Sequence, residues 1–274
     1  MRLALAIAPQ EAEPSAFVVF RDRLDVGIAK ASVLGYDAVE LALAQPSDVS
    51  TTALRRVLDD SNIGVAAIST GRVFAEQGVW LTSPRTRVHR RAVAILKGLI
   101  DIAGPLGAPR VNIGRVRGCL ADGEPADSAV ARFLDGISEC AEYAAPHGID
   151  IVLEPVNRYE INFVNSVVPD GLALVEHIGL PNVRLMPDTF HMNIEDVSIT
   201  GSLEAARDAI GYIQVADSNR WAPGQGHLDF PSVFAMLDRI GYGGDIGVEI
   251  LPLPTPDLAA RQAIEYLRRF IPRA

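Results

Sequence analysis

Short apolar runs alternate with amphipathic stretches along the whole chain. The runs at 3–8, 38–42, 65–69, 110–113, 149–154, 183–186, 210–215 and 246–250 are short and often β-branched. That is the pattern of parallel strands covered on both faces. Between them, apolar residues recur at three- and four-residue spacing. This spacing predicts helices over 24–34, 51–60, 85–103, 128–145, 168–178, 202–209, 231–240 and 257–270. In 85–103, for example, Val88, Ala92, Ile95, Leu96 and Leu99 share one side. Several of these stretches begin near Ser, Thr or Asp and stop at Gly or Pro, as helix caps require. Eight strand–helix units within 274 residues predict an α/β fold, a single-domain (β/α)8 barrel over 1–274. An open doubly wound sheet would carry a glycine-rich turn after its first strand. Here that run ends in Ala8-Pro9-Gln10-Glu11, and Arg115-Val116-Arg117-Gly118 is too poor in glycine to cradle a phosphate.

Composition narrows the class. Hydrophobic residues make up 49% and charged residues 22%, which excludes a disordered chain. Aromatics are only 6%, so the core is expected to be aliphatic. The formal charge of −9 and the lack of a basic stripe argue against a nucleic-acid partner. Two cysteines, Cys119 and Cys140, make no disulfide framework and suit a reducing, cytoplasmic setting. The apolar start is broken by Pro9 and acidic residues too early for a signal peptide or a membrane span. Only two lysines occur, Lys30 and Lys97, both in helical stretches, which weakens any Schiff-base chemistry.

In a barrel the chemistry sits where strands end at their C-terminal face. The fifth run ends at Glu154, the sixth at Asp188 with His191 one turn on, the seventh carries Gln214, Asp217 and Arg220, and the eighth carries Glu249. Glu154, Asp188, Gln214 and Glu249 would thus converge from four successive strands. The bland alternative is four separate strand-end groups facing solvent. Three carboxylates at one barrel mouth repel one another, and a divalent cation is the usual way to hold them. Oxygen-only ligation favours Mn²⁺ or Mg²⁺ over Zn²⁺, with Co²⁺ a further candidate. His191 is either a substrate contact or a loop histidine, and Arg220 either a bidentate oxygen clamp or a surface arginine. Glu160 and Asn157 line the mouth or a loop network. Arg115 and Arg117 meet an anionic substrate or solvent. His227, within Pro-Gly-Gln-Gly-His, reads as turn punctuation. His89, His147 and His177 look structural.

Four motifs carry a family resemblance: LEPVNRYE (153–160), DTFHMNIED (188–196), VADSNRWAPGQGHLDF (215–230) and IGVEILPLP (246–254). With the eight-unit layout, they resemble the xylose isomerase-like TIM-barrel sugar isomerases and epimerases. The nearest-looking branch is the ketose 3-epimerases of the D-tagatose/D-psicose type. ADSNRWAPG with EILPLP looks most like members acting on keto sugar acids, such as 5-keto-L-gluconate epimerase. The resemblance implies that Glu154 and Glu249 are metal-bound catalytic acid and base, that Asp188 is a third ligand, and that Glu160, His191 and Arg220 bind substrate. One position departs. The epimerases carry histidine where this chain has Gln214, and hydroxypyruvate isomerases look to use glutamine there. A metal site with an amide oxygen in place of an imidazole follows.

The expected reaction is therefore metal-dependent epimerisation of a ketose or keto sugar acid at C3, through a cis-enediolate. The partner is a small sugar or sugar acid, and relatives commonly form homodimers or homotetramers. Rival readings are a hydroxypyruvate-type aldose–ketose isomerase, a non-catalytic sugar-binding barrel, and an endonuclease IV-like repair enzyme. The last needs a histidine-rich multi-zinc site, and the chain has five histidines.

Overall fold

The computed structural model describes residues 1–14 and 17–271. Its strands are β1 (Arg2–Ala8), β2 (Phe20–Arg21), β3 (Ala38–Ala42), β4 (Gly64–Ser69), β5 (Arg110–Ile113), β6 (Asp150–Leu153), β7 (Val183–Leu185), β8 (Ile213–Val215) and β9 (Asp245–Val248). The helices are α1 (Leu24–Leu34), α2 (Thr51–Ser61), α3 (Gly71–Gln77), α4 (Thr86–Leu106), α5 (Ala126–Ala144), α6 (Leu172–Ile178), α7 (Thr189–Glu195), α8 (Ile199–Ala205), α9 (Phe230–Arg239) and α10 (Pro256–Leu267).

All strand pairs are parallel, in the order β7-β6-β5-β4-β3-β1-β9-β8, with the short β2 added beside β1. The two ends of this order meet. Isolated parallel bridges join Leu185 to Ile210 and Asp188 to Gln214. Leu185 N–H donates to Ala209 O (2.8 Å) and Gln214 N–H to Pro187 O (2.9 Å). The sheet is thus a closed (β/α)8 barrel, and its seam is held by bridges rather than a ladder.

Strand alternation separates two interiors. Leu3, Leu5, Ile7, Val39, Leu41 and Val248 pack into one large aliphatic cluster with the surrounding helices. The opposite positions are mostly small. Ala4, Ala38, Ala66 and Ala67 form a second cluster with Val152, Met186 and Tyr212, and Ala6, Ala8 and Ala42 belong to a third. An alanine-lined inner face leaves room for the few large polar groups the barrel holds. At the N-terminal end Asp245 closes the floor. It accepts from Arg2 Nε (2.7 Å) and Nη2 (3.0 Å) and from Arg110 Nη1 (2.8 Å). Arg110 also donates to Gly211 O and Ala66 O, so it ties several strand starts together.

The run at 210–215 forms a ladder only over Ile213–Val215, because its first residues face the seam. The helix expected over 202–209 begins earlier, at Ile199, since Ser198 is the cap and its Oγ accepts from Gly201 N–H (3.1 Å). In the stretch expected as helix from 168, Val168 itself is extended (φ −131°, ψ 126°) and the α-helix starts at Leu172. Helices α3 and α7 are additional, each seven residues long. Among the described residues no helix is long and apolar enough to cross a membrane.

Candidate active site

Glu154 follows β6, Asp188 lies beyond β7, Gln214 is inside β8 and Glu249 follows β9, so all four stand at the C-terminal end of the barrel. Asp188 is the cap of α7: its Oδ1 accepts from Phe190 N–H at 2.8 Å. Its other oxygen, Oδ2, is buried with no hydrogen-bond partner. Gln214 Nε2 donates to Glu40 Oε1 at 2.8 Å, which fixes the amide and leaves Oε1 buried and unpartnered. Glu40, a buried carboxyl in the middle of β3, also accepts from Tyr212 Oη at 2.8 Å. Two buried acceptors without hydrogen-bond donors, on residues bridged across the seam, are costly unless something positive meets them; for Asp188 Oδ2 the nearest such group is Arg220 Nη2, at 3.8 Å.

The surrounding carboxyls are under the same stress. Burial pushes Glu154 up to about 7, although the charges of Arg220 and Arg117 pull it back. Burial also raises Glu249, against the opposing Arg220, and raises Asp188, against His191 and Arg220. Glu154 sits close under the strand-end backbone. A Cβ at Gly114 would lie 2.3 Å from Glu154 Oε2, so any side chain there would displace the Glu154 carboxylate.

His191 is brought in by α7. Its Nδ1 accepts from Asn157 N–H (3.3 Å) and lies 2.8 Å from Asn157 Nδ2, so the ring proton belongs on Nε2. Burial lowers its pKa to about 4, and the ring is neutral. Nε2 lies 3.5 Å from Glu154 Oε1 and 3.8 Å from Asp188 Oδ2. Glu154, Asp188 and His191 offer ligand-type atoms all within 4.8 Å of one another.

Arg220 is buried and hydrogen-bonds Glu249 through Nη2, while Nη1 reaches Glu160 Oε1 at 3.4 Å. Its guanidinium is stacked between Phe17 and Phe190, 3.9 and 4.7 Å from their ring centroids. Its backbone is left-handed (φ 60°) and is held there by Arg220 N–H to Asp217 O and Leu251 N–H to Arg220 O, both 2.8 Å. Asp217 organises this loop by accepting from Ser218, Gly224 and Leu228 N–H groups. His227 pairs with Ser218 Oγ (2.9 Å) within the same loop.

Glu154, Glu160, His191, Arg220 and Glu249 all line one cavity, with Asn112 and Arg115. Asp188 and Gln214 lie behind that lining, 1% and 0% exposed. The two arginines after β5 part company. Arg117 is wholly buried and spends its donors on the carbonyls of Phe163, Gly114, Glu154 and Val164, while Arg115 faces the cavity. The sequence reading passed over Glu40, Phe17 and Phe190. Glu40 did carry a signal, as a lone charge inside the apolar run AVELA.

The profile of the family described as "Xylose isomerase-like TIM barrel" matches residues 28–270. The chain belongs to this family. It is 34% identical over 228 residues to an L-ribulose 3-epimerase of Methylomonas sp. (strain DH-1), covering 81% of this chain and 76% of that one. It is 29% identical over 233 residues to a D-psicose 3-epimerase of Agrobacterium fabrum, covering 81% and 77%. A crystal structure of D-allulose 3-epimerase from Methylomonas sp. in complex with D-allulose superimposes with a TM-score of 0.81 at 26% identity, over 98% of this chain and 96% of that one. With such relatives across most of its length, this xylose isomerase-like barrel is an isomerase of the epimerase type.

Proposed function

We propose that this barrel is a metal-dependent C3 epimerase of a ketose or keto sugar acid, with Glu154 and Glu249 as the proton-transfer pair. The observation that carries the metal is the pair of buried, unpartnered oxygens, Asp188 Oδ2 and Gln214 Oε1, at the same barrel end as two buried glutamates. Glu154, Asp188, Gln214 and Glu249 form an all-oxygen donor set that fits Mn²⁺ or Mg²⁺, with Co²⁺ as a substitute. His191 is not counted among the ligands, because Asn157 occupies its Nδ1 and the proton sits on Nε2. When bound, the cation polarises the substrate carbonyl and supplies positive charge where the enediolate's negative charge develops.

The protein's own groups do the rest. Glu154 and Glu249 follow strands with β7 and β8 between them, so they approach a sugar in the cavity from different sides. One removes the proton from C3 and the other returns a proton to the opposite face, which inverts that carbon. Burial raises both carboxyls, which brings their basicity nearer the working range. His191 Nε2–H and the Arg220 guanidinium are donors for the substrate's oxygens. Arg220 is held by two aromatic rings and a constrained turn, so little is lost in orienting it. Glu160, accepting from Asn157 Nδ2 and Arg220 Nη1, steadies both.

Gln214 favours one second reading, a hydroxypyruvate-type aldose–ketose isomerase, in which one carboxylate moves the proton along a single face. The two are separated by incubating Mn²⁺-loaded protein with ketoses and keto sugar acids in D₂O and following the products by NMR. The expected result is deuterium at C3 with appearance of the C3 epimer. Glu154→Gln and Glu249→Gln each reduce epimerisation by at least 1000-fold. Deuterium at C2 of an aldehyde product, from a proton taken at C1 and returned at C2, establishes the isomerase instead. Near wild-type turnover by either mutant breaks the two-base scheme, and no exchange on any substrate leaves a sugar-binding barrel.

A further inference from the structure

Among the described residues, one cationic group in the cavity makes neither a hydrogen bond nor an ion pair, although its charge reaches Glu154. Three arginines line it: Arg72, Arg115 and Arg220. Arg72 is spent on Glu76 (2.6 and 2.8 Å), Asp48 (3.3 Å) and Ala42 O (3.0 Å). Arg220 is ion-paired with Glu249 and Glu160, although its buried Nε, like that of Arg115, has no acceptor. Arg115 lies immediately beyond β5 and the strand-end glycine that Glu154 packs against. Among the described residues its side chain has no hydrogen bond to an acceptor and no carboxylate within ion-pair distance, and its Nε is buried without a partner. It is not a wandering surface arginine either. Its guanidinium carbon lies 5.3 Å from the Phe74 ring centroid, and Phe74 belongs to α3 on the cavity wall.

A guanidinium held in place by an aromatic ring, partly buried, with unfilled donors and open to the site, is built for an anionic group of the ligand. The charge balance says which anion. Glu13, Glu76, Glu154, Glu160 and Glu249 line the same cavity. A dianionic phosphate would meet that field with a single free arginine and no glycine-rich loop. A carboxylate carries one charge and two coplanar oxygens, which is the match for one guanidinium fork.

Resting on the epimerase reading above, we infer that Arg115 anchors a carboxylate at the end of the substrate away from the reacting carbons, and that the preferred substrates are keto sugar acids rather than neutral ketoses. Arg115 is then a specificity-determining residue. Arg117, two positions on, has no part in it, because four backbone carbonyls already consume its donors.

The test compares 5-keto-D-gluconate and its stereoisomers with D-fructose, D-psicose and D-tagatose, and with D-fructose 6-phosphate, on Mn²⁺-loaded protein. It is paired with calorimetric binding of D-gluconate against D-glucitol, which differ by a carboxylate in place of a hydroxymethyl group. Wild type is expected to favour the acid in both assays. Arg115→Met is expected to shrink the acid-over-neutral ratio by about 10- to 100-fold, the loss of a charge-assisted pair. Arg115→Lys, which keeps the charge but not the fork, falls between them. Thermal melts of both variants confirm that the fold survives.

Neutral ketoses turned over as well as keto acids, or a ratio indifferent to Arg115→Met, overturns the assignment and leaves the epimerase standing. A preference for the phosphorylated ketose overturns the carboxylate in favour of phosphate. If nothing is turned over, the epimerase reading fails, and the gluconate–glucitol difference still decides whether Arg115 holds a carboxylate.

Discussion

Glu40 shows how much a single buried side chain carries in this barrel. Its two oxygens accept from Tyr212 and Gln214, and so it sets which way the Gln214 amide faces. A Cβ on Gly247 would approach Tyr212 Oη to 2.4 Å and Glu40 Oε2 to 2.8 Å, so the glycine in β9 makes room for the pair. Glu40→Leu strands two donors in the barrel interior at about 1–3 kcal/mol each. Tyr212→Phe removes one donor and costs about 1 kcal/mol. Urea denaturation of the two variants is expected to rank them in that order, with Mn²⁺ affinity weakened in Glu40→Leu as the amide is released. At this scale the sequence was partly readable. Glu154, Asp188, Gln214 and Glu249 each end or interrupt an apolar run, and a polar group in that position has few reasons to be there. Glu40 interrupts its run in the middle rather than at the end, where strand-end logic does not look. The tautomer of His191 was not readable at all, since it depends on Asn157, which lies 34 residues away in the chain.

Among the elements, the floor and the mouth of the barrel are built differently. At the floor, burial alone would push Asp245 up, but the hydrogen bonds and charges of Arg2 and Arg110 hold it below the ordinary carboxylate range. The folded state therefore keeps this carboxylate ionised where the unfolded chain has taken up a proton. Its stabilisation is complete above the unfolded value of 3.8 and is lost as pH falls through the lower folded value. Asp245→Asn is expected to lower stability at pH 7 and to flatten the acid limb of the stability–pH profile below pH 4, as read by thermal melts across pH 2–7. At the mouth the elements are short and capped by site residues. Buried strands announce themselves, and β3, β5 and α1 match their predicted bounds. Helices α3 and α7 escaped because seven residues hold barely two turns, too few for a periodicity to repeat. Yet α7 is what carries His191 and Phe190 into the site, started by an aspartate that the sequence suggested for another purpose.

For the molecule as a whole, eight apolar runs separated by amphipathic stretches made the barrel legible, because closure is the simple way to bury both faces of so many parallel strands. What the periodicity could not convey is the asymmetry of the closure. Seven neighbouring pairs make register-paired ladders or bridges within the sheet, whereas β7 and β8 meet only at Leu185–Ile210 and Asp188–Gln214. A cation held by Asp188 and Gln214, as proposed, would bind the folded state alone and so link stability to occupancy. Stripping the protein with a chelator is expected to lower its melting temperature by about 5–10 °C relative to protein in Mn²⁺ at 100-fold its dissociation constant. Re-addition restores it, and Asp188→Asn abolishes the difference.

The join between β7 and β8 also ties the proposed reaction centre to closure of the ring. Asp188 and Gln214, which bridge that join, are two of the four proposed donors, so on that proposal a ring left open there has no reaction centre.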